Sequence, residues 1–227
     1  MEHPFSPTDL NRCSPFGFSC NRCRTCCRYK KIQLNPYEIA RLADNLGLST
    51  TECISRYTNT NGTVLRFTAE GTCVFLDAQG CAVHRDRPLV CRLYPLGRYV
   101  DFLGVETFAR LELDEGCQGM FRDNSTIAHY LEEQGAAPFM QAADRYLDLL
   151  WHLLERLKDQ EFAPAQSATV LATVRAVTDG AAAGQDISWT DMDRAVADYC
   201  RRTGIPVPLE RDAQMRLHIK AVREWAA

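Results

Sequence analysis

The chain has 227 residues, 46% of them hydrophobic and 24% charged, a composition that excludes a disordered chain. A net charge of -3 gives no global attraction to nucleic acid, and no stretch stays apolar for the roughly 20 residues that span a bilayer. Met1 to Pro7 has neither a basic n-region nor an apolar h-region, so a cytoplasmic location is expected. There, eleven cysteines favour metal binding over disulfides, and the odd count points the same way.

Residues 1 to 19 carry Pro4, Pro7, Pro15 and Gly17 without periodicity and read as an irregular lead-in. A helix follows the first cysteines. Asn35 is its N-cap, Pro36 its first residue, Glu38 the capping-box acid, Leu34 and Ile39 a hydrophobic staple, and Gly47 its stop. Leu48 to Glu52 repeats this grammar and starts a second helix through about Tyr57. Thr63 to Thr68, Thr72 to Leu76, Arg98 to Phe102 and Val105 to Leu113 then read as short strands separated by turns. Pro88 opens one or two helical turns through Leu93, which carry Cys91.

From about Ser125 the chain reads as helical. Pro138 to Lys158 places Leu147, Leu150, Trp151, Leu154 and Leu157 on one apolar face, expected to be helix core. Further helices are expected at Gln166 to Thr178, at Thr190 to Arg202 with Thr190 as cap and Asp193 as acid, and from Pro208 onward. Gly180 to Gly184 reads as a flexible joint. The expectation is an α+β protein: a cysteine-cluster metal-binding domain over 1–123 with a short antiparallel sheet, and a helical region over 124–227 that packs on it or acts as a separate interaction module.

The chemistry concentrates in Cys20-Asn21-Arg22-Cys23-Arg24-Thr25-Cys26-Cys27, four thiols within eight residues. A core uses cysteine singly, whereas C-x2-C spacing brings sulfurs within reach of one soft metal or one iron–sulfur cluster. Cys73, Cys81, Cys91 and Cys117 bring the set to eight, twice the four thiolates that satisfy a tetrahedral zinc or a [4Fe–4S] cluster. Adjacent side chains diverge, so Cys26 and Cys27 fit either two interleaved centres or one centre with a second thiol packed behind it. The block lacks the x3-Cys-Pro that completes a bacterial ferredoxin run, and it has neither a C-x3-C-x2-C spacing nor a G-x-G-x-x-G loop. Arg12, Arg22, Arg24, Arg28, Lys30 and Lys31 form a basic patch without an acid. It suits thiolate stabilisation better than nucleic-acid binding, because few aromatics are interleaved for base stacking.

Phe18-x-Cys20-x2-Cys23-x2-Cys26-Cys27-Arg28, Cys73-x-Phe75-Leu76, Gly80-Cys81 and Arg87-Pro88-x2-Cys91-Arg92-x-Tyr94-Pro95 together resemble the CxxCxxCC family of zinc- or iron-chelating proteins, also called YkgJ-like cysteine-cluster proteins. The resemblance covers about residues 18 to 117 and implies a metal centre on the eight cysteines. A longer relative, the flagellin lysine N-methylase, is associated with a [4Fe–4S] cluster, which makes that cluster the leading cofactor, with zinc as the alternative. Arg24 departs from the family pattern, standing where a glycine commonly follows the second cysteine, and the block is expected to turn differently there.

Two classes of role follow. One is a redox carrier or an enzyme acting on a protein substrate; the other is a zinc-binding structural or interaction module that recognises a protein partner. Outside the eight, Cys53 and Cys200 are expected in the core and Cys13 as a loose thiol. His84, three residues after Cys81, is expected to orient a ligand rather than be one. Arg85, Arg87, Arg92 and Tyr94 are candidates for contacts behind the sulfurs or for a substrate rim, with surface ion pairs as the alternative for the arginines.

Overall fold

Local chemistry starts the first two helices where the sequence places them. The Asn35 side chain accepts from the Glu38 N–H and Glu38 accepts from the Asn35 N–H, so α1 (Pro36–Leu46) opens on a complete capping box. Gly47 closes it with φ 66°, a left-handed conformation that costs glycine least. Ser49 and Glu52 form the same box at the start of α2 (Thr50–Tyr57).

A computed structural model describes residues 10–59, 62–101, 103–159 and 189–225. The remaining elements are β1 (Pro15–Ser19), β2 (Thr58–Asn59), β3 (Val64–Leu65), β4 (Leu76–Asp77), β5 (Gly80–Cys81), α3 (Leu89–Leu93), β6 (Leu96–Val100), β7 (Glu106–Arg110), β8 (Met120–Thr126), α4 (Ile127–Glu133), α5 (Ala137–Asp159), α6 (Met192–Thr203) and α7 (Arg211–Trp225). The fold is α+β. Its strands form four antiparallel pairs, β1–β8, β2–β3, β4–β5 and β6–β7, among the described residues, instead of one short sheet. The expected helix at Gln166 to Thr178 and the joint at Gly180 to Gly184 lie outside the described residues.

The lead-in is where the structure departs furthest from expectation. Pro15–Ser19 is a strand, paired with β8 through Gly17 opposite Arg122, Phe18 opposite Phe121 and Ser19 opposite Met120. Proline and glycine made it read as a loop, yet Pro15 sits at the strand's first residue, where a missing N–H is tolerated.

Two hydrophobic cores lie on either side of α1. Tyr37 and Ala40 face a larger core with Phe16, Leu96 and Phe108 from the strands, Leu89 and Leu93 from α3, and the inner faces of α4 to α7. Ile39, Leu42 and Ala43 face a smaller one with Leu34, Cys53, Leu65, Phe75 and Val83. The helices from α4 onward therefore pack on the cysteine-bearing part through a shared core. Polar contacts reinforce it. Arg98 on β6 pairs with Glu106 on β7 and bidentately with Asp144 on α5, at 2.7 and 2.8 Å. Asp191 takes the Thr50 and Thr51 hydroxyls of α2, each at 2.6 Å, while its side chain also accepts from the Arg194 N–H. Asp191, not Thr190, is thus the cap of α6.

The apolar stripe on α5 is also displaced. Among the described side chains of this helix, those fully enclosed are Ala142, Leu149 and Leu153, with Tyr146 close behind, a face set one residue earlier than Leu147, Leu150 and Leu154, which are half-buried; Trp151 is 45% exposed, and the Leu157 side chain lies outside the described ones. One residue is about 100° of helix rotation. Tyr146 fixes that rotation by reaching His218 on α7, its hydroxyl 2.9 Å from Nδ1. The last helix begins at Arg211, three residues after the expected start.

Candidate metal centre

Four separate stretches of chain bring the eight cysteines together. Pairing of β1 with β8 places Ser19 opposite Met120, so the block beginning at Cys20 and the turn holding Cys117 leave the same ribbon side by side. The Asn21 side chain donates to the Gln118 carbonyl at 2.7 Å and fastens the junction. Arg28 bridges to Thr72, and the Cys73 N–H donates to the Cys27 carbonyl at 3.0 Å, which sets the third stretch against the block. The β4–β5 hairpin returns the chain from Leu76 to Cys81, and α3 presents Cys91.

All eight, Cys20, Cys23, Cys26, Cys27, Cys73, Cys81, Cys91 and Cys117, line one cavity of about 550 Å³. Its walls draw Phe18 and Tyr130 from the larger core and Leu65, Phe75 and Val83 from the smaller, so the cavity opens between the two. Among the described residues, no three His, Cys, Asp or Glu side chains converge on one point as a ready-made ion site. The thiols stand round the cavity instead. Eight soft sulfur donors facing one enclosed space fit a thiolate-held metal or cluster better than a hard cation, which takes oxygen ligands.

The environment sorts these thiols. Cys23 is lowered to about 7, first by the Thr25 hydroxyl donating at 3.4 Å and then by backbone groups, while burial and the proximity of Cys23 push its neighbour Cys117 up. Cys26 is pushed far up, first by its hydrogen bond with Cys27 and then by burial. Burial also raises Cys73, Cys81 and Cys91. Cys91 is accessible from the cavity yet surrounded by protein, so it is desolvated all the same. The charge of Cys26 bears on Cys73, Cys81 and Cys91, which makes it the thiol common to the buried group.

The residues behind the thiols were only partly foreseeable. Arg92 lines the cavity and is not a surface ion-pair residue. It is buried, donates to the carbonyls of Arg87, Gln134 and Arg85, and stacks 3.9 Å from the centre of the Phe139 ring, so it holds the turn before α3. Burial lowers it to about 10. Arg87 lines the cavity, donating to the His84 carbonyl at 2.6 Å and to the Gln134 side chain at 2.7 Å. His84, exposed, lines it too; Arg85, also exposed, contributes only its carbonyl. Tyr94 accepts from the Asp114 N–H at 3.0 Å, and Lys30 pairs with the Asp114 carboxylate.

Glu38 was expected only to cap α1, but its second oxygen accepts from the Leu89 N–H at 2.7 Å. One buried carboxylate thereby joins the starts of α1 and α3 and fixes the helix that carries Cys91. Its pKa is raised by burial, against the hydrogen bonds from Leu89 and Asn35. Nothing local announced the Leu89 bond, because the partners are far apart in sequence and Glu38 already satisfied its own helix.

Arg24 has φ 67° and ψ 5°, in the left-handed region that favours glycine, so the arginine carries a strain there that a glycine would not. Arg22, at φ 52°, does the same on the other side of Cys23. Cys53 and Cys200 are buried core thiols, Cys53 being raised to about 11 by burial, and Cys13 is exposed outside the cavity.

Residues 19–118 match the family model CxxCxxCC, described as "Putative zinc- or iron-chelating domain". No curated protein and no solved structure matches the chain.

Proposed function

We propose that the CxxCxxCC domain of this chain binds iron–sulfur of the [4Fe–4S] type, as one centre or two, on thiolates drawn from Cys20, Cys23, Cys26, Cys27, Cys73, Cys81, Cys91 and Cys117, in a redox role or in modification of a protein substrate. The observation that carries this reading is that all eight thiols, brought in by four stretches of chain, open on one cavity. A single tetrahedral zinc and a single [4Fe–4S] cluster each take four thiolates, so eight thiols round one cavity allow two centres, or one centre with the other thiols packed behind it. A space of about 550 Å³ lined by all eight suits a multi-atom centre, or two, more naturally than one ion.

When bound, such a centre supplies one-electron chemistry at a potential set by charge, hydrogen bonds to sulfur and solvent exposure. The chain supplies those settings. Phe18, Tyr94 and Tyr130 wall the cavity, Arg22 and Arg87 place positive charge on its lining, and the Thr25 hydroxyl donates to the Cys23 sulfur. Cys23 is the thiol most ready to offer a thiolate at neutral pH. A zinc-held module is the second reading, favoured by the two-residue strands of β2 to β5, whose short pairings a closed four-thiolate site would brace. Among the described residues no helix is long and apolar enough to cross a membrane.

Protein purified without oxygen is expected to be brown, with broad visible absorption and with iron and labile sulfide in comparable amounts. Colourless protein with stoichiometric zinc overturns the iron–sulfur reading in favour of the second. Within the site, Cys26→Ser is expected to lose more metal than Cys27→Ser, because Cys26 is the thiol common to the buried group. Equal losses, read by metal analysis, would remove that distinction.

A further inference from the structure

Among the described residues that are not exposed, one buried side-chain oxygen or nitrogen has no hydrogen-bond partner, Oδ2 of Asp114. A buried acceptor left unpaired is costly, and the reasons for keeping one are an ion, a water or a chemical role. The rest of Asp114 is engaged. Its N–H donates to the Tyr94 hydroxyl at 3.0 Å, its carbonyl accepts from the Cys117 N–H at 2.9 Å, and Oδ1 pairs with Lys30. These contacts fix the residue on the cavity lining and leave Oδ2 as its one uncommitted polar atom.

Thiols share this end of the cavity. The β1–β8 ribbon delivers Cys20 and the turn holding Cys117 side by side, with the Asn21 side chain donating to the Gln118 carbonyl. The Thr25 hydroxyl, 3.4 Å from both the Cys23 sulfur and the Gly116 carbonyl, sets Cys23 against the same turn. That turn begins at Asp114. Three thiols and one unpaired carboxylate oxygen are thus gathered by hydrogen bonds around one short turn. A water at Oδ2 would need two or more polar partners, and the thiols at this end are weak ones. Carboxylate oxygen does ligate zinc and iron, and with three thiolates it completes a set of four. Among the described residues no three of these groups converge on one point, so metal binding itself draws them in.

We infer that Asp114 is a ligand of the metal centre, its Oδ2 completing a set with Cys20, Cys23 and Cys117. The inference rests on the metal reading, for iron–sulfur and zinc alike, and goes beyond it in making one ligand an oxygen. A site closed by four thiolates is ordinarily structural, whereas chemistry at a metal needs a position that exchanges. Among soft sulfur ligands the hard carboxylate is the one that yields, so the metal atom on Asp114 is where an outside ligand enters. Lys30, already paired with Oδ1, holds the carboxylate in place as it lets go.

The test is metal retention. Full-length protein purified without oxygen is assayed for iron and zinc, then mixed with a colorimetric chelator while release is timed. Asp114→Asn keeps an oxygen for Lys30 and puts a poorly ligating amide in place of Oδ2. It is expected to carry less metal and to release it at least about tenfold faster, since even a residue that only supports a ligand changes affinity by about 10–100-fold. Lys30→Met breaks the ion pair but spares the ligand, and should change release by no more than about threefold. Glu115→Gln, at the exposed neighbour, should leave release unchanged. Stripped of metal, wild type and Asp114→Asn should unfold at the same denaturant concentration. Equal effects of Lys30→Met and Asp114→Asn would reduce the carboxylate to a partner for lysine and overturn the ligand, as would wild-type release from Asp114→Asn. A loss of stability in metal-free Asp114→Asn would make the role structural and overturn it too. Wild-type protein that carries neither metal defeats the metal reading, and the ligand with it, a result read on wild type alone and so distinct from the others.

Discussion

The helical region and the cysteine region are stabilised by different means. From α4 onward, buried side chains recur at helical spacing and interlock with neighbouring helices, as Phe139, Tyr146, Leu149 and Leu153 do on α5. Around the cavity, order comes from pairings of distant short segments, from single buried polar groups such as Glu38 and Arg92, and from backbone held against its preference at Arg22 and Arg24. A hydrophobic core tolerates small changes at many positions. A cavity braced by a few polar groups depends heavily on each of them.

The largest expected effect tests that dependence. Glu38→Ala removes the acceptor for two N–H groups on two helices and leaves the Leu89 donor buried, which should cost about 3 kcal/mol or more. Denaturant unfolding measures the loss, and metal content should fall with it because α3 carries Cys91. A stable variant with full metal content would show the cavity to be braced by other means.

A slightly smaller effect probes the helical side. His218 is fully buried; its Nε2 lies 2.8 Å from the Trp189 carbonyl, which can only accept, so Nε2 carries the proton and Nδ1 accepts from the Tyr146 hydroxyl. Burial lowers this histidine to about 4. Above pH 6.5 both folded and unfolded chains leave it neutral and the packing counts in full. As pH falls from about 6.5 towards 4, the unfolded chain takes up a proton that the folded protein refuses, so about 3 kcal/mol is lost over that window. If the shared core makes the two regions one cooperative unit, helical circular dichroism should fall and cysteine accessibility to a thiol reagent rise over the same pH window. Separate transitions would divide the chain near the boundary expected at residue 123.

The smallest effect should be a gain. Arg24→Gly relieves a left-handed arginine, worth about 1–2 kcal/mol, against the greater freedom of glycine in the unfolded chain, so net stabilisation of about 0.5–1 kcal/mol is expected. Thermal unfolding reads this directly, with metal content unaffected. Destabilisation would mean that the Arg24 side chain contributes to the cavity wall more than its backbone costs.

What was legible in the sequence follows the same division. Caps, staples and stops act within five residues, so α1, α2 and the turn bearing Cys91 could be read directly, as could the density of thiols from Cys20 to Cys27. The β1–β8 ribbon could not. Met120 to Thr126 is mostly polar and Pro15 to Ser19 carries two residues that usually break strands, so neither signals its partner about a hundred residues away. The rotation of α5 was missed by one residue because Tyr146 answers to His218 on another helix, which an apolar-residue pattern cannot register. The same holds for Asp191, whose capping position is also the place where the Thr50 and Thr51 hydroxyls arrive.

The β1–β8 ribbon has a temporal consequence. Closing a loop of about a hundred residues is entropically costly and is delayed until later native contacts can offset it. During synthesis the block from Cys20 to Cys27 leaves the ribosome well before Cys117 and β8 exist, so the nascent chain holds a partial set of thiols in the open. Completion of the eight-thiol cavity coincides with completion of the ribbon, which makes residues 120–126 the segment whose emergence closes it.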